Sequence, residues 1–132
     1  MDWIVFQILQ TEPCYKKPNF MMPRTYSYYV YIVTNAERTV LYTGVTNNLA
    51  ARLKEHYDNR GKPNSFAGRY YCYNLIYCEW HQYIRNAISR EKYIKLLRRE
   101  DKEELISKFN PDWKFLNAEI CGEWPPKFEG RI

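Results

Sequence analysis

Residues 28–44 read YYVYIVTNAERTVLYTG. Two β-branched and aromatic runs flank a short polar break, the composition of two strands joined by a turn. YYVYIVT (28–34) is the first run and TVLYTGV (39–45) the second. A four-residue loop at 35–38 that closes symmetrically sets Thr34 against Thr39 and Tyr31 directly against Tyr42. Opposed residues share one face of a hairpin, with Cβ atoms ~5 Å apart. The spacing therefore predicts two neighbouring phenols. Cross-strand packing is one use for them, and a place in a reactive site is another.

The helix signals follow at once. In TNNLAARLKEHY, Thr46 or Asn47 suits an N-cap, and Leu49 and Leu53 make the apolar stripe. Arg52 and His56 stand four apart and project together beside that stripe. They read either as a solvated flank or as site residues. Gly44 falls where strand turns to helix. Further on, NRGKPNSFAGR (59–69) is a polar, basic loop, and NLIYCEW (74–80) a third strand. IRNAISREKYIKLLRR (84–99) and DKEELISKF (101–109) read as helices. The fold class is α/β of the α+β kind, a small three-stranded antiparallel sheet flanked by helices.

Within 84–99, Ile84, Ala87, Ile88 and Ile94 fall on one side at ~3.6 residues per turn, and Glu91 points into that stripe. A carboxylate there needs a partner. Lys95, four residues on, offers an ion pair. A divalent cation is the alternative, since Mg²⁺ commonly takes one or two carboxylates and fills its shell with water and phosphate oxygens.

The chain has 132 residues, a size for one core, and 45% hydrophobic residues, which excludes global disorder. A net charge of +5 is compatible with a polyanionic partner. Cys14, Cys72, Cys78 and Cys121 form no C-x-x-C pair, and with only two histidines a structural zinc site is not expected. With no secretory signal, the cysteines are expected to be reduced and the protein cytoplasmic. No apolar stretch approaches the ~20 residues of a membrane span. Residues 1–25 read as an extension with no assigned function, 26–118 as the domain, and 119–132 as a C-terminal tail.

In chain order the candidate residues are Tyr31, Tyr42, Arg52, His56 and Glu91. Tyr29-Val30-Tyr31, Tyr42-Thr43-Gly44, Arg52-x-x-x-His56 and Glu91 together resemble the motifs of the GIY-YIG nuclease superfamily, over roughly Tyr28 to Leu116. Small stand-alone bacterial members and the N-terminal nuclease domain of a DNA-repair excinuclease belong to that superfamily. The resemblance implies a metal-dependent endonuclease using Mg²⁺ (or Mn²⁺), with Glu91 as the metal ligand. It implies Arg52 on the phosphate, Tyr31 orienting water or phosphate, and either Tyr42 or His56 as proton acceptor. Val45 stands where the excinuclease branch has a lysine, and the family asparagine corresponds to Asn110 or Asn117.

The implied partner is DNA, including branched or otherwise structured duplex. Arg60, Lys62 and Arg69 in the loop, with Arg90, Lys92, Lys95, Arg98 and Arg99 on the long helix, are available to phosphates. Arg69, Lys95 and Arg98 are the chosen contacts. Such contacts are largely blind to sequence, so recognition is expected to follow DNA structure. A non-cleaving nucleic-acid-binding module on the same scaffold is the alternative.

Overall fold

Strand β1 (Tyr28–Thr34) is the middle of the sheet and is buried on both faces, which is why its sequence is apolar or aromatic almost throughout. It pairs antiparallel with β2 (Leu41–Thr46) on one side and with β3 (Asn74–His81) on the other. The computed structural model describes residues 27–127. The extension at 1–25 lies outside them.

Alternation along β1 divides the core in two. Tyr29, Tyr31 and Val33 face a cluster with Leu49, Leu53, Leu75, Cys78 and Leu116. Val30 and Ile32 face Tyr77, Ala87, Ile94 and Ile106 on the other side. Helix α1 (Leu49–Asp58) covers the first face together with the short helices α2 (Phe66–Arg69) and α5 (Asn117–Cys121). Helices α3 (Ile84–Leu96) and α4 (Arg99–Phe109) cover the second. The fold is therefore the expected three-stranded antiparallel sheet flanked by helices.

The hairpin register differs from expectation. Tyr31 opposes Gly44, and Tyr42 opposes Val33. The cause lies in the loop. The Asn35 carboxamide oxygen accepts from the amides of Thr39 (2.8 Å) and Val40 (3.1 Å), and the Thr34 hydroxyl donates to the Val40 carbonyl (2.7 Å). These bonds absorb Thr39 and Val40 into the turn, so β2 starts at Leu41. A slip of two residues keeps every side chain on its face. The two phenols remain on one face, as diagonal rather than opposed neighbours.

The α1 cap is Asn48, whose side chain accepts from the Ala51 amide (3.1 Å), and the Thr46 hydroxyl accepts from the Asn48 amide (3.1 Å). On α3 only Ala87 and Ile94 are buried, whereas Ile84 is 50% and Ile88 36% exposed. The expected apolar stripe is thus split between a narrow buried seam and an open edge. Helix α5 straddles the expected domain boundary at 118, and Ile120, Cys121 and Trp124 pack against the core. Cys72 and Cys121 are free thiols. Cys78 is disulfide-bonded, contrary to the expectation of reduced cysteines. No helix among the described residues is long and apolar enough to cross a membrane.

Both candidate asparagines brace β3. Asn117, 1% exposed, accepts from the Leu75 amide (2.7 Å) and donates to the Tyr73 carbonyl (2.7 Å). Asn110 donates to the carbonyls of Ile76 (3.0 Å) and Lys114 (2.9 Å). An unsatisfied buried polar group costs ~1–3 kcal/mol. Asn117→Ala strands two of them, so urea unfolding of that variant is expected to show a loss of ~2–4 kcal/mol with an unchanged denaturant slope.

Candidate active site

Gly44 and Tyr31 build the centre of the site together. The Tyr31 ring lies across the Gly44 backbone so closely that a Cβ at position 44 would overlap the phenol, with ring Cε1 2.9 Å away. Glycine is needed here for close approach and not for backbone freedom. The ring then reaches past β2 to α1. There the Arg52 Nε–H donates to the Tyr31 hydroxyl oxygen (3.2 Å), and the hydroxyl meets His56 Nε2 at 2.8 Å.

The direction of that second bond follows from chemistry. Tyr31 is fully buried, so its proton needs an acceptor. A guanidinium has none to offer, whereas a neutral imidazole nitrogen does. Tyr31 therefore donates to His56 Nε2, which puts the imidazole proton on Nδ1. The titration tendencies agree. Burial, reinforced by the nearby Arg52 cation, holds His56 down to about 4 despite the opposing pull of Glu55. Burial pushes the Tyr31 phenol up to about 12, and the Arg52 hydrogen bond only partly offsets it. Arg52 is held charged, chiefly by its bond to Tyr31, with smaller help from Glu55 and Tyr42. Its NH1 donates to Glu55 Oε2 at 2.9 Å.

Tyr42 completes the group. Its ring meets the edge of His56 at a centroid distance of 5.4 Å and stacks on Phe66 at 6.4 Å. Tyr31, Tyr42, Arg52 and His56 thus converge on the α1 face of the sheet, and of these Arg52 opens outward. It lines a cleft of about 480 Å³ at the edge of the sheet, shared with Val45, Thr46, Glu55, Ile84 and Ile88. The cleft spans from α1 to α3.

Glu91 stands on α3, the helix of the other face. It shares a helical stripe with Ile84 and Ile88, seven and three residues before it, and so lies one turn beyond the cleft lining. Its side chain is 13% exposed and pairs with Lys95 Nζ at 2.8 Å. Among the described residues no group of three or more His, Cys, Asp or Glu gathers for a metal. A lone carboxylate is compatible with the single-carboxylate mode open to Mg²⁺.

The basic residues are dispersed. Arg69 donates to the Pro63 carbonyl (3.0 Å), and Arg98 pairs with Asp101 (3.2 Å) at the start of α4. Arg90 is not a surface contact but is turned inward onto Glu79 (2.9 Å). Sequence reasoning overlooked Glu79 and its partners Tyr77 and His81, and also the Phe66 stack. The signal for the first was present: Tyr77-x-Glu79-x-His81 puts three polar groups on one face of a strand.

Comparison with known proteins identifies the family. The GIY-YIG catalytic domain model matches residues 27–104, and the chain belongs to that family. The family's catalytic domain is a nuclease domain. A UPF0213 protein of Clostridium perfringens is 43% identical over 79 residues, which cover 60% of this chain and 82% of that protein. A UPF0213 protein of Bacillus licheniformis is 37% identical over 82 residues, 62% of this chain and 81% of the relative. The solution structure of a UPF0213 protein from Bacillus halodurans aligns with a TM-score of 0.45 at 25% identity, over 70% of this chain and 95% of the other.

The His56 environment has a consequence for stability. Its folded-state value of about 4 lies below the 6.5 of the free imidazole, so between those values the unfolded chain binds a proton that the folded chain refuses. This contribution is complete above pH ~6.5 and is lost as pH falls toward 4. Between pH 7 and pH 5 it amounts to about 2 kcal/mol. Denaturant unfolding at the two pH values is expected to show that difference between wild type and His56→Gln, whose side chain does not titrate.

Proposed function

We propose that this protein is a divalent-metal-dependent endonuclease that hydrolyses DNA phosphodiester bonds and is directed by DNA structure rather than base sequence. The observation that carries the reading is the hydrogen-bonded chain Arg52–Tyr31–His56, with Tyr42 against it and Arg52 lining a cleft. The nuclease unit is taken as residues 26–118, with the rest of α5 and Trp124 packing onto its core.

The roles follow from the environment of each group. Arg52 is permanently charged, partly exposed in the cleft, and already oriented by Tyr31, so it can fork onto non-bridging phosphate oxygens at little ordering cost. Tyr31 stays a neutral phenol whose task is to orient Arg52. His56 is a weak base at neutral pH and its accepting nitrogen is already engaged. That favours Tyr42 as the proton acceptor, with the Arg52 cation close enough to be coupled to it. Glu91 would hold Mg²⁺ or Mn²⁺. When bound, such an ion relieves charge on the phosphoryl oxygens and the leaving 3′ oxygen. Lys95, Arg98 and Arg69 would add salt-sensitive grip on phosphates. Among the described residues no element is set apart from the sheet and its helices to read base edges, which supports recognition of branched or otherwise structured duplex.

The test is a panel of branched, nicked and plain duplex DNA incubated with Mg²⁺ or Mn²⁺. Cleavage is expected, fastest on branched substrates. Glu91→Ala and Arg52→Ala are each expected to lose about a hundredfold or more in rate while keeping a cooperative melt. Cleavage indifferent to both substitutions sinks the reading. Salt-sensitive binding with no product on any substrate selects the non-cleaving module instead.

A further inference from the structure

The most enclosed charge among the described residues lies outside the proposed catalytic group. Glu79 on β3 is 1% exposed beneath α3. Its Oε1 accepts from Arg90 Nε (2.9 Å) and lies 2.8 Å from His81 Nε2. Its Oε2 accepts from the Tyr77 hydroxyl. Three partners on one buried carboxylate form a directional lock, and Arg90 is the only one of them on the helix.

Such a lock acts directly on helix α3. The helix buries just Ala87 and Ile94, seven residues apart, an apolar seam two turns long. A buried charge-assisted bond has the angular preference that the apolar seam lacks. Arg90 and Glu91 are consecutive, so their side chains leave the helix ~100° apart. Fixing Arg90 on β3 fixes the direction of Glu91, on the stripe that Ile84 and Ile88 carry into the cleft.

We propose that Glu79 is a positioning residue: through Arg90 it sets the rotation of α3 and so presents the Glu91 carboxylate for the metal. This rests on the reading of Glu91 as the metal ligand. Outer partners of a metal ligand typically alter affinity by ~10–100-fold when removed.

The probe is Mn²⁺, followed by paramagnetic broadening of the Glu91 amide signal in ¹⁵N-labelled full-length protein, without DNA and well below the melting temperature. Wild type, Glu91→Gln, Glu79→Gln and Arg90→Lys are compared. The last keeps charge but loses the guanidinium geometry, and thermal melts establish which variants are folded. The Mn²⁺ concentration for half-broadening is expected to rise about tenfold in a folded Glu79→Gln or Arg90→Lys variant. A purely structural role would lower the melting temperature and leave that concentration unmoved. Wild-type values within twofold in both variants, with broadening lost in Glu91→Gln, overturn the positioning role and leave the nuclease reading intact. Broadening that survives Glu91→Gln overturns both.

Discussion

The architecture turns on how closely the Tyr31 ring approaches the Gly44 backbone. A central-strand tyrosine normally ends in the hydrophobic cluster it points into. Here the neighbouring strand offers a position with no side chain, and the ring crosses it to reach α1. The phenol is consequently both a core residue, with no exposed surface, and the bridge between a cation and an imidazole. Packing and chemistry are the same contact. A larger residue at 44 would fill the space that the hydroxyl needs, and Arg52 would lose the partner that orients it. Overpacking of this kind costs ~1–3 kcal/mol, but the more specific loss would be the geometry of the guanidinium.

Burial gives the two ring systems fixed protonation states. Desolvation raises a phenol and lowers an imidazole, and the Arg52 cation cannot reverse the first while it adds to the second. The result is a donor–acceptor pair that holds one arrangement across neutral pH. Such a pair suits the orientation of Arg52 better than it suits proton exchange with solvent. Of the three rings, Tyr42, half-buried and stacked on the exposed Phe66, is the one nearer to water.

Much of this was legible in the chain. The alternation of β1, the strand composition on both sides of Asn35, and the i,i+4 relation of Arg52 to His56 define the sheet and bring four side chains to one face. The pairing register was not legible, because it depends on Asn35 and Thr34 hydrogen-bonding two residues that look like strand. The parity of the sheet made that error harmless. The stripe on α3 was read too generously for a different reason: periodicity reports which residues share a face, not whether another element covers it. Ile84 and Ile88 face the cleft instead of the core. Glu79 escaped notice because a single glutamate in a strand looks solvent-facing until Arg90, eleven residues on, folds over it.

The ion pair of Glu91 with Lys95 bears on the two uses considered for that carboxylate. Lys95 is half-exposed, and i,i+4 pairs at such sites are worth ~0.3–0.5 kcal/mol. That is small beside the cost of leaving a carboxylate at 13% exposure unpaired. It is also too little to resist a divalent ion. The two uses considered for Glu91 are therefore compatible: under the proposed metal role, the carboxylate would only have to leave a weak lysine partner on a long flexible stem.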